Sequence, residues 1–171
     1  TANSCPGIPK TFTITVNPTP GLTQPNDQVL CTGDATTAVN FTGPVSNSSY
    51  NWTNNNTLIG LATSGTGNIT SFTTTNNTNA PLVATITVSV NANGCSIPSK
   101  VFTITVNPTP DVIQPADQSL CNGSTTTAIN FTGAVSGTIY NWTNSDPSIG
   151  LAAGGTGNIA AFTAINNTSA P

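Results

Sequence analysis

The stretch FTITVNPTP, Phe12–Pro20, recurs unchanged as Phe102–Pro110, ninety residues further along the chain. When residues 12–81 are laid over residues 102–171, about two-thirds of the positions are identical. A long period of this kind predicts an array of domain-sized units. We divide the chain into residues 1–18, the C-terminal strand region of a preceding repeat, residues 19–108, one complete repeat, and residues 109–171, an incomplete following repeat. The last two are called the first unit and the second unit below.

Strict alternation of apolar and polar residues indicates strands in each unit. In Leu82–Val90 the even-numbered positions from Leu82 to Val90 are apolar, and in Phe102–Val106 the same holds for Phe102, Ile104 and Val106. Shorter strands are predicted before Cys31 and around four further places: Val39/Phe41, Tyr50/Trp52, Ile59/Leu61 and residues 69–75. Gly-rich and Asn-rich turns separate them, and no segment shows a helical period. The pattern predicts an all-β chain of tandem antiparallel β-sandwich repeats with a period of about 90 residues and about seven strands per unit.

Three aromatic residues recur in each unit and are predicted to be core anchors of the sandwich: Phe41, Tyr50 and Trp52, then Phe131, Tyr140 and Trp142. Trp on a central strand usually packs in the core, although stacking on a sugar is an alternative. Between units, prolines spaced by one residue (Pro18, Pro20, Pro108 and Pro110) fix φ and favour extended neighbours. We therefore predict short, semi-rigid joints that align the units in a rod.

The four cysteines occupy equivalent positions in the repeat, because Cys5 matches Cys95 and Cys31 matches Cys121. An even count without C-x-x-C spacing or histidine favours disulfides formed outside the cytosol over zinc binding or redox catalysis. A Cys31–Cys95 bond within one unit is the preferred pairing. The alternative pairs Cys5 with Cys31 and Cys95 with Cys121.

The composition excludes several classes of function. Two lysines and five aspartates are the only charged side chains in 171 residues, for a net charge of −3, and histidine is absent. No basic patch is present for nucleic acid, and no apolar run is long enough to span a bilayer. General acid–base catalysis lacks its usual residues, and only Asp27/Asp117 recurs, which makes a calcium site a weak prediction. We predict no enzymatic activity, no metal site, no cofactor and no membrane insertion in this segment.

The Cys-x-Gly at 31–33 and 121–123, the Tyr-x-Trp strand, the Ala-Asn-Gly-Cys turn at 92–95 and the closing TFTITVNPTP resemble the PKD-like and Ig-like repeats of giant surface proteins of Bacteroidetes, including SprB-type gliding adhesins. The resemblance covers essentially the whole chain. The sequence departs from standard PKD domains in lacking Gly-Asp-Gly after the Trp strand, and from Ig domains in lacking cysteines inside the sandwich.

The resemblance implies an exported, extracellular fibre at the cell surface, delivered by type IX secretion, in which these repeats form the shaft. We expect the chain to be a structural spacer of such an adhesin, with neighbouring repeats, and copies of itself in a fibre, as partners. Two alternatives stay open: a subunit of an extracellular filament assembled by strand exchange, and a carbohydrate-binding module of a secreted protein.

Overall fold

The computed structural model describes residues 3, 4, 6 and 8–170, and the chain is all-β. Within these residues the only helical segments are two 3-10 turns, Thr57–Ile59 and Pro147–Ile149. The strands are β1 (Gln28–Cys31), β2 (Ser49–Asn54), β3 (Ser64–Thr66), β4 (Leu82–Ala92), β5 (Cys95–Ser96), β6 (Lys100–Asn107), β7 (Asn141–Thr143) and β8 (Gly154–Thr156).

The first unit contains a six-stranded mixed sheet in the order β1-β6-β4-β2-β3, with β5 paired to the end of β4. All neighbours are antiparallel except β1, which runs parallel to β6 with Gln28 opposite Ile104. The two strands with the clearest alternation in sequence, β4 and β6, lie side by side in the middle of the sheet. The antiparallel prediction is therefore wrong for β1, whose short sequence carries no signal for the direction of its partner.

One face of β4 and β6 forms the core of the first unit. Ile86, Val88, Ile104 and Val106 are completely buried, and Phe102 is 2% exposed. The intervening threonines on these strands are only partly buried, as the two-residue period of a strand requires. Full burial of an aliphatic side chain of this size stabilises a fold by about 1.5–3 kcal/mol, so β4 and β6 carry the largest share of the apolar burial.

Three segments that lie outside the strands of the sheet, residues 35–41, 57–61 and 69–73, form a covering layer over this face. The covering layer contributes Val39, Phe41, Ile59, Leu61 and Ile69 to the same core. Within the described residues, its strands at 35–41 and 69–73 are reduced to two isolated bridges, Ala35 with Thr73 and Val39 with Ile69. Side-chain hydrogen bonds replace part of the ladder: the amide of Phe41 donates to Asn68 Oδ1, and the amide of Phe72 donates to Thr36 Oγ1.

The predicted strand at Ile59/Leu61 is wrong, because residues 57–59 form a 3-10 turn. Asn56 caps this turn by accepting a hydrogen bond from the amide of Leu58, and Gly60 ends it with a left-handed backbone at φ +96°. A short turn of this kind points Ile59 into the core, where its side chain is fully buried. An apolar pair spaced by two residues fits either conformation, which is why the sequence did not separate them.

The second unit repeats the covering layer and the outer pair of strands. Asn141 of β7 lies opposite Thr156 of β8, as Asn51 lies opposite Thr66 in the first unit. The bridges recur as Thr125 with Thr163 and Ile129 with Ile159. Among the described residues, no strand of the second unit corresponds to β1, β4 or β6. None of the helical segments among the described residues is long or apolar enough to cross a bilayer.

Candidate functional site: an open apolar cleft in the second unit

An apolar cleft of about 810 Å³ opens along the second unit. Its walls come from the repeat positions that pack together with β4 and β6 in the core of the first unit. The walls include Val112, Leu120, Trp142, Leu151, Ile159 and Phe162.

Corresponding side chains in the two units differ sharply in exposure. Ile59 is fully buried, whereas its counterpart Ile149 is 39% exposed. Leu22 is 5% exposed and its counterpart Val112 is 55% exposed. In the first unit these positions are covered by β4 and β6, and the described residues of the second unit include no counterparts of those two strands.

The first unit shows how the walls contact the strands that fill them. All six residues of β2 pair with β4, from Ser49 opposite Asn91 to Asn54 opposite Ile86. On the other side β1 pairs with β6 alone. Among the described residues of the second unit, β7 pairs with β8 alone.

Polar side chains at the rim of the first unit also hold the filling strands. Asp27 Oδ1 accepts a hydrogen bond of 2.6 Å from the backbone amide of Thr103. Gln24 Nε2 donates to the carbonyl of Val101, and Asn55 Oδ1 accepts from the amide of Thr85. The recurrence of Asp27 as Asp117 therefore has a structural role that the sequence analysis missed. Its only sequence signal was the repetition itself.

In the second unit, the corresponding side chains of Gln114 and Asp117 make no such hydrogen bonds to a neighbouring strand among the described residues. Among the described residues, Asp117 accepts no hydrogen bond, and Gln114 donates only to the carbonyl of its neighbour Pro115. Both side chains line the cleft. The cleft consequently offers an apolar floor together with backbone-binding groups at its rim.

The recurring aromatics pack as pairs in both units. The ring centroids of Phe41 and Tyr50 are 5.7 Å apart, and those of Phe131 and Tyr140 are 5.8 Å apart. Trp52 is 7% exposed and belongs to the core, whereas Trp142 is half-buried in the wall of the cleft. In the described structure, the indole Nε1 of each Trp is buried without a hydrogen-bond acceptor.

Each Trp ring lies against a glycine on the neighbouring strand. A Cβ atom built on Gly65 would come within 2.3 Å of Trp52, and one on Gly155 within 2.5 Å of Trp142. In the GTGN motif at 65–68, Gly65 leaves space for the indole of Trp52 and Gly67 forms a left-handed turn. Asn68 Oδ1 accepts a hydrogen bond from the amide of Phe41.

The structure does not bring Cys31 and Cys95, the preferred pair, together. Cys31, Cys95 and Cys121 are free, and Cys5 lies outside the described residues. Cys31 is opposite Asn107 at one end of the sheet, and Cys95 is opposite Ala92 at the other. Because β4 has 11 residues, these ends are roughly 30 Å apart at ~3.3 Å per residue. A disulfide needs Cα atoms within about 7 Å, so the Cys31–Cys95 bond does not fit this register.

The prolines of the predicted joints alternate in burial. Pro20 and Pro108 are buried, whereas Pro18 and Pro110 are exposed. Pro108 directly follows β6, and the carbonyl of Asn107 accepts hydrogen bonds from the amide and the hydroxyl of Thr32. One proline of each pair therefore belongs to a packed unit and the other to its surface.

Charge is sparse in and around the cleft. Asp117 is the only charged residue in its lining. Asp146 caps the 3-10 turn of the second unit, and hydrogen bonds from the hydroxyl and then the amide of Ser148 hold the pKa of its carboxyl below the ordinary value. Among the described residues, no group of three or more Cys or Asp side chains is placed to hold a metal ion.

No family model matches the sequence, and no match was found among the curated proteins.

Proposed function

We propose that this chain is a structural spacer, the shaft region of a long secreted cell-surface adhesin or fibre built from tandem Ig-like or PKD-like β-sandwich units with a period of about 90 residues. It lies outside the cell, carries out no catalysis, and has as its partners the neighbouring repeats of the same chain.

The observation that supports this proposal is the repetition of one hydrogen-bond scaffold in both units. The side chain of Gln28 hydrogen-bonds to both the amide and the carbonyl of Thr37, and Gln118 makes the same two hydrogen bonds to Thr127. The Thr36–Phe72 and Asn54–Leu61 bonds recur as Thr126–Phe162 and Asn144–Leu151. Side chains that fix loops within a unit are therefore kept in both units. Such modules suit extension better than chemistry.

The joints support the same function. The first unit ends on β6 and its buried Pro108, and the second unit begins directly after it with Thr109 and Pro110. Proline fixes φ and favours an extended neighbour, so this joint is short and stiff. A chain of units joined in this way keeps its direction from one unit to the next.

The test is the length of concatenated repeats. Chains with two, four and eight complete units are compared by small-angle scattering, with Pro108→Gly/Pro110→Gly joints as the matched control. We expect the maximum dimension to rise linearly, by ~35 Å or more per unit, since the 11 residues of β4 alone span about that length. The glycine joints are expected to shorten the fibre. Growth with the square root of the number of units in the parent chain would contradict the spacer function.

A subunit of an extracellular filament assembled by strand exchange is a second candidate, favoured by the N-terminal segment. Phe12, Ile14 and Val16 are 85%, 79% and 88% exposed, although the identical residues in β6 are buried. Deleting residues 1–18 tests this candidate by analytical ultracentrifugation. Concentration-dependent oligomers that vanish with the deletion support it, and a monomer at all concentrations rejects it. A carbohydrate-binding module gains no support, because Phe41 and Trp52 are buried in the core.

A further inference from the structure

We propose that consecutive repeats are joined covalently, by a disulfide between the Cys31 position of one repeat and the Cys95 position of the repeat that follows it. The turn at Asn93–Gly94, with Cys95 directly after it, is the docking surface at which the preceding repeat contacts a unit. This inference rests on the proposed array of tandem units. It deepens that proposal by assigning the interface between units and the bond that closes it.

The two cysteines of the first unit lie at opposite ends of its sheet. Cys31 is opposite Asn107, the last residue of β6, from which the chain leaves the unit. We call this the exit end. Cys95 is opposite Ala92 at the other end of the sheet, which we call the entry end. In a head-to-tail array, the exit end of one unit meets the entry end of the next, so each joint brings together one cysteine of each kind.

The N-terminal segment shows how a preceding repeat contacts the entry end. Asn17 Nδ2 donates a hydrogen bond of 2.9 Å to the carbonyl oxygen of Asn93, in the turn between β4 and β5. Asn17 has the same repeat position as Asn107, which lies beside Cys31 in the first unit. In a preceding repeat with the fold of the first unit, the cysteine at the Cys31 position therefore lies on the strand next to Asn17.

The path between the two cysteines is shorter across the joint than within a unit. Across the joint, it consists of one strand spacing of about 4.8 Å, the hydrogen bond of 2.9 Å from Asn17 to Asn93, and the two residues from Asn93 to Cys95. Within a unit, Cys31 and Cys95 are separated by the 11 residues of β4, or roughly 30 Å at ~3.3 Å per residue. Because a disulfide needs Cα atoms within about 7 Å, the geometry favours the pairing across the joint.

Cys31 is exposed at the exit end while its backbone is fixed. Its amide donates to Asp34 Oδ2 at 2.9 Å, and its carbonyl oxygen accepts from the hydroxyl of Thr74 at 2.8 Å. A group held in place before it binds loses less conformational entropy on binding. An exposed thiol of a secreted chain that has no partner within its own unit also indicates a partner outside that unit.

The bond forms by oxidation of two thiols. A thiolate of one repeat attacks a small disulfide oxidant, and the thiolate of the neighbouring repeat then displaces the mixed disulfide. One sulfur–sulfur bond forms between the repeats and the one in the oxidant breaks. The two electrons and two protons of the cysteines end on the two thiols released from the oxidant. Since each complete unit offers one cysteine at each end, a joint between complete units consumes one from each.

The contact at the entry end is tested in the full chain by Asn17→Cys, which places a thiol where the preceding repeat makes its hydrogen bond. Cys5→Ser and Cys121→Ser are present in the background, and the dilute chain is oxidised in glutathione buffer. We expect the introduced thiol to bond to Cys95. The expected rate is about tenfold higher than for the matched control Thr11→Cys, because the effective concentration of two groups falls when the tether no longer matches their span.

The native bond is tested in the chain of two complete units that serves the length measurement. After oxidation in the same buffer, peptide mapping under non-reducing conditions is expected to link Cys31 of the leading unit to Cys95 of the following unit. Cys31→Ser in the leading unit is expected to abolish this linked peptide. The matched control is Cys31→Ser in the following unit, which is expected to leave the linked peptide unchanged.

Three results overturn the proposal. They are equal rates for Asn17→Cys and Thr11→Cys, an introduced thiol at position 17 that bonds to Cys31 rather than to Cys95, and a two-unit chain that oxidises without the peptide linking its units. The spacer function is measured separately, by scattering in reducing buffer. A rod without linked peptides rejects the disulfide alone, and linked peptides in a chain that grows as a random coil reject the spacer alone.

Discussion

At the scale of single residues, the indole of Trp52 and the missing side chain of Gly65 form one contact. They are cross-strand partners in β2 and β3, and the ring occupies the space that a Cβ atom on Gly65 would need. The Tyr-x-Trp and Gly-Thr-Gly-Asn motifs are therefore two halves of one packing arrangement. Any side chain at Gly65 must displace the ring from the core.

We expect Gly65→Ala to lower the free energy of unfolding of the first unit by ~1–3 kcal/mol, the usual cost of overpacking. The matched change Gly155→Ala is expected to cost less, because Trp142 borders an open cleft into which its ring can move. Urea denaturation followed by Trp fluorescence measures both, each in a chain with the other Trp replaced by Phe. Equal costs would show that the ring of Trp142 is as constrained as that of Trp52.

The carboxyl of Asp146 makes a pH-dependent contribution to the stability of the second unit. The first unit lacks this contribution, because Asn56 stands at the equivalent cap. The folded pKa is lowered by the Ser148 hydrogen bonds. Stabilisation from this group is therefore present above the unfolded pKa and is lost as the pH falls through the folded pKa.

We expect Ser148→Ala to move the pKa of Asp146 up towards its ordinary value, since it removes the hydroxyl that contributes most to the shift. Side-chain carboxyl chemical shifts recorded by NMR from pH 2 to pH 6 measure the change. The control is Ser46→Ala, which alters a serine remote from this cap. An unchanged pKa in Ser148→Ala would assign the shift to the backbone amide of Ser148 alone.

At the scale of elements, the length of β4 decides where the cysteines lie. The β1 end of the sheet carries Cys31 and the β5 end carries Cys95. The chain leaves the first unit from the Cys31 end, because β6 finishes at Asn107 opposite Cys31. Cys95 is therefore at the end of the sheet away from the joint to the second unit.

We expect peptide mapping of the oxidised chain under non-reducing conditions to give no peptide that links Cys31 to Cys95. The reason is the length of β4, which holds the two Cα atoms far beyond the reach of a disulfide. Reduced and alkylated chain is the control for peptide assignment. A Cys31–Cys95 peptide in the folded monomer would mean that β1 or β5 has a different position from the one described.

At the scale of the whole molecule, the two units share a scaffold, and the described residues of the second unit include no counterparts of β4 and β6. The first unit has fourteen buried apolar residues in one cluster, Leu22, Val39, Phe41, Trp52, Ile59, Leu61, Ile69, Ala84, Ile86, Val88, Val90, Phe102, Ile104 and Val106. In the second unit, Ile159 is the only apolar residue that reaches the same degree of burial among the described residues. Stability within one chain is therefore uneven.

We expect native-state hydrogen exchange to show this difference directly. Amides of β4 and β6, such as those of Ile86 and Ile104, should exchange only on global opening of the first unit. Amides of the second unit, such as that of Ile159, which bonds to Ile129, should exchange orders of magnitude faster. The amide of Ile69, which makes the equivalent bond to Val39, is the matched control. Equal protection of Ile69 and Ile159 would contradict the described opening of the second unit.

The sequence by itself determined the strands whose alternation is long enough to be unambiguous. β4 and β6 were predicted almost to their ends, and β2 was found from Tyr50 and Trp52, because one buried face imposes a two-residue period on the side chains. The all-β class followed from these strands and from the missing helical period. The fibre function remains a proposal, since it came from the resemblance and from the repeat.

Only the tertiary structure decided which strands meet and what remains open. Three features depend on residues that are well separated in the chain: the parallel pairing of β1 with β6, the packing of Trp52 against Gly65, and the hydrogen bond that Asp27 accepts from the amide of Thr103. The same holds for the separation of Cys31 from Cys95. Local periodicity reports which face of a segment is buried, but the partner that buries it is set by the packing of the whole unit. For the same reason, the tertiary structure alone determines that Trp142, Leu151 and Ile159 line one cleft of the second unit.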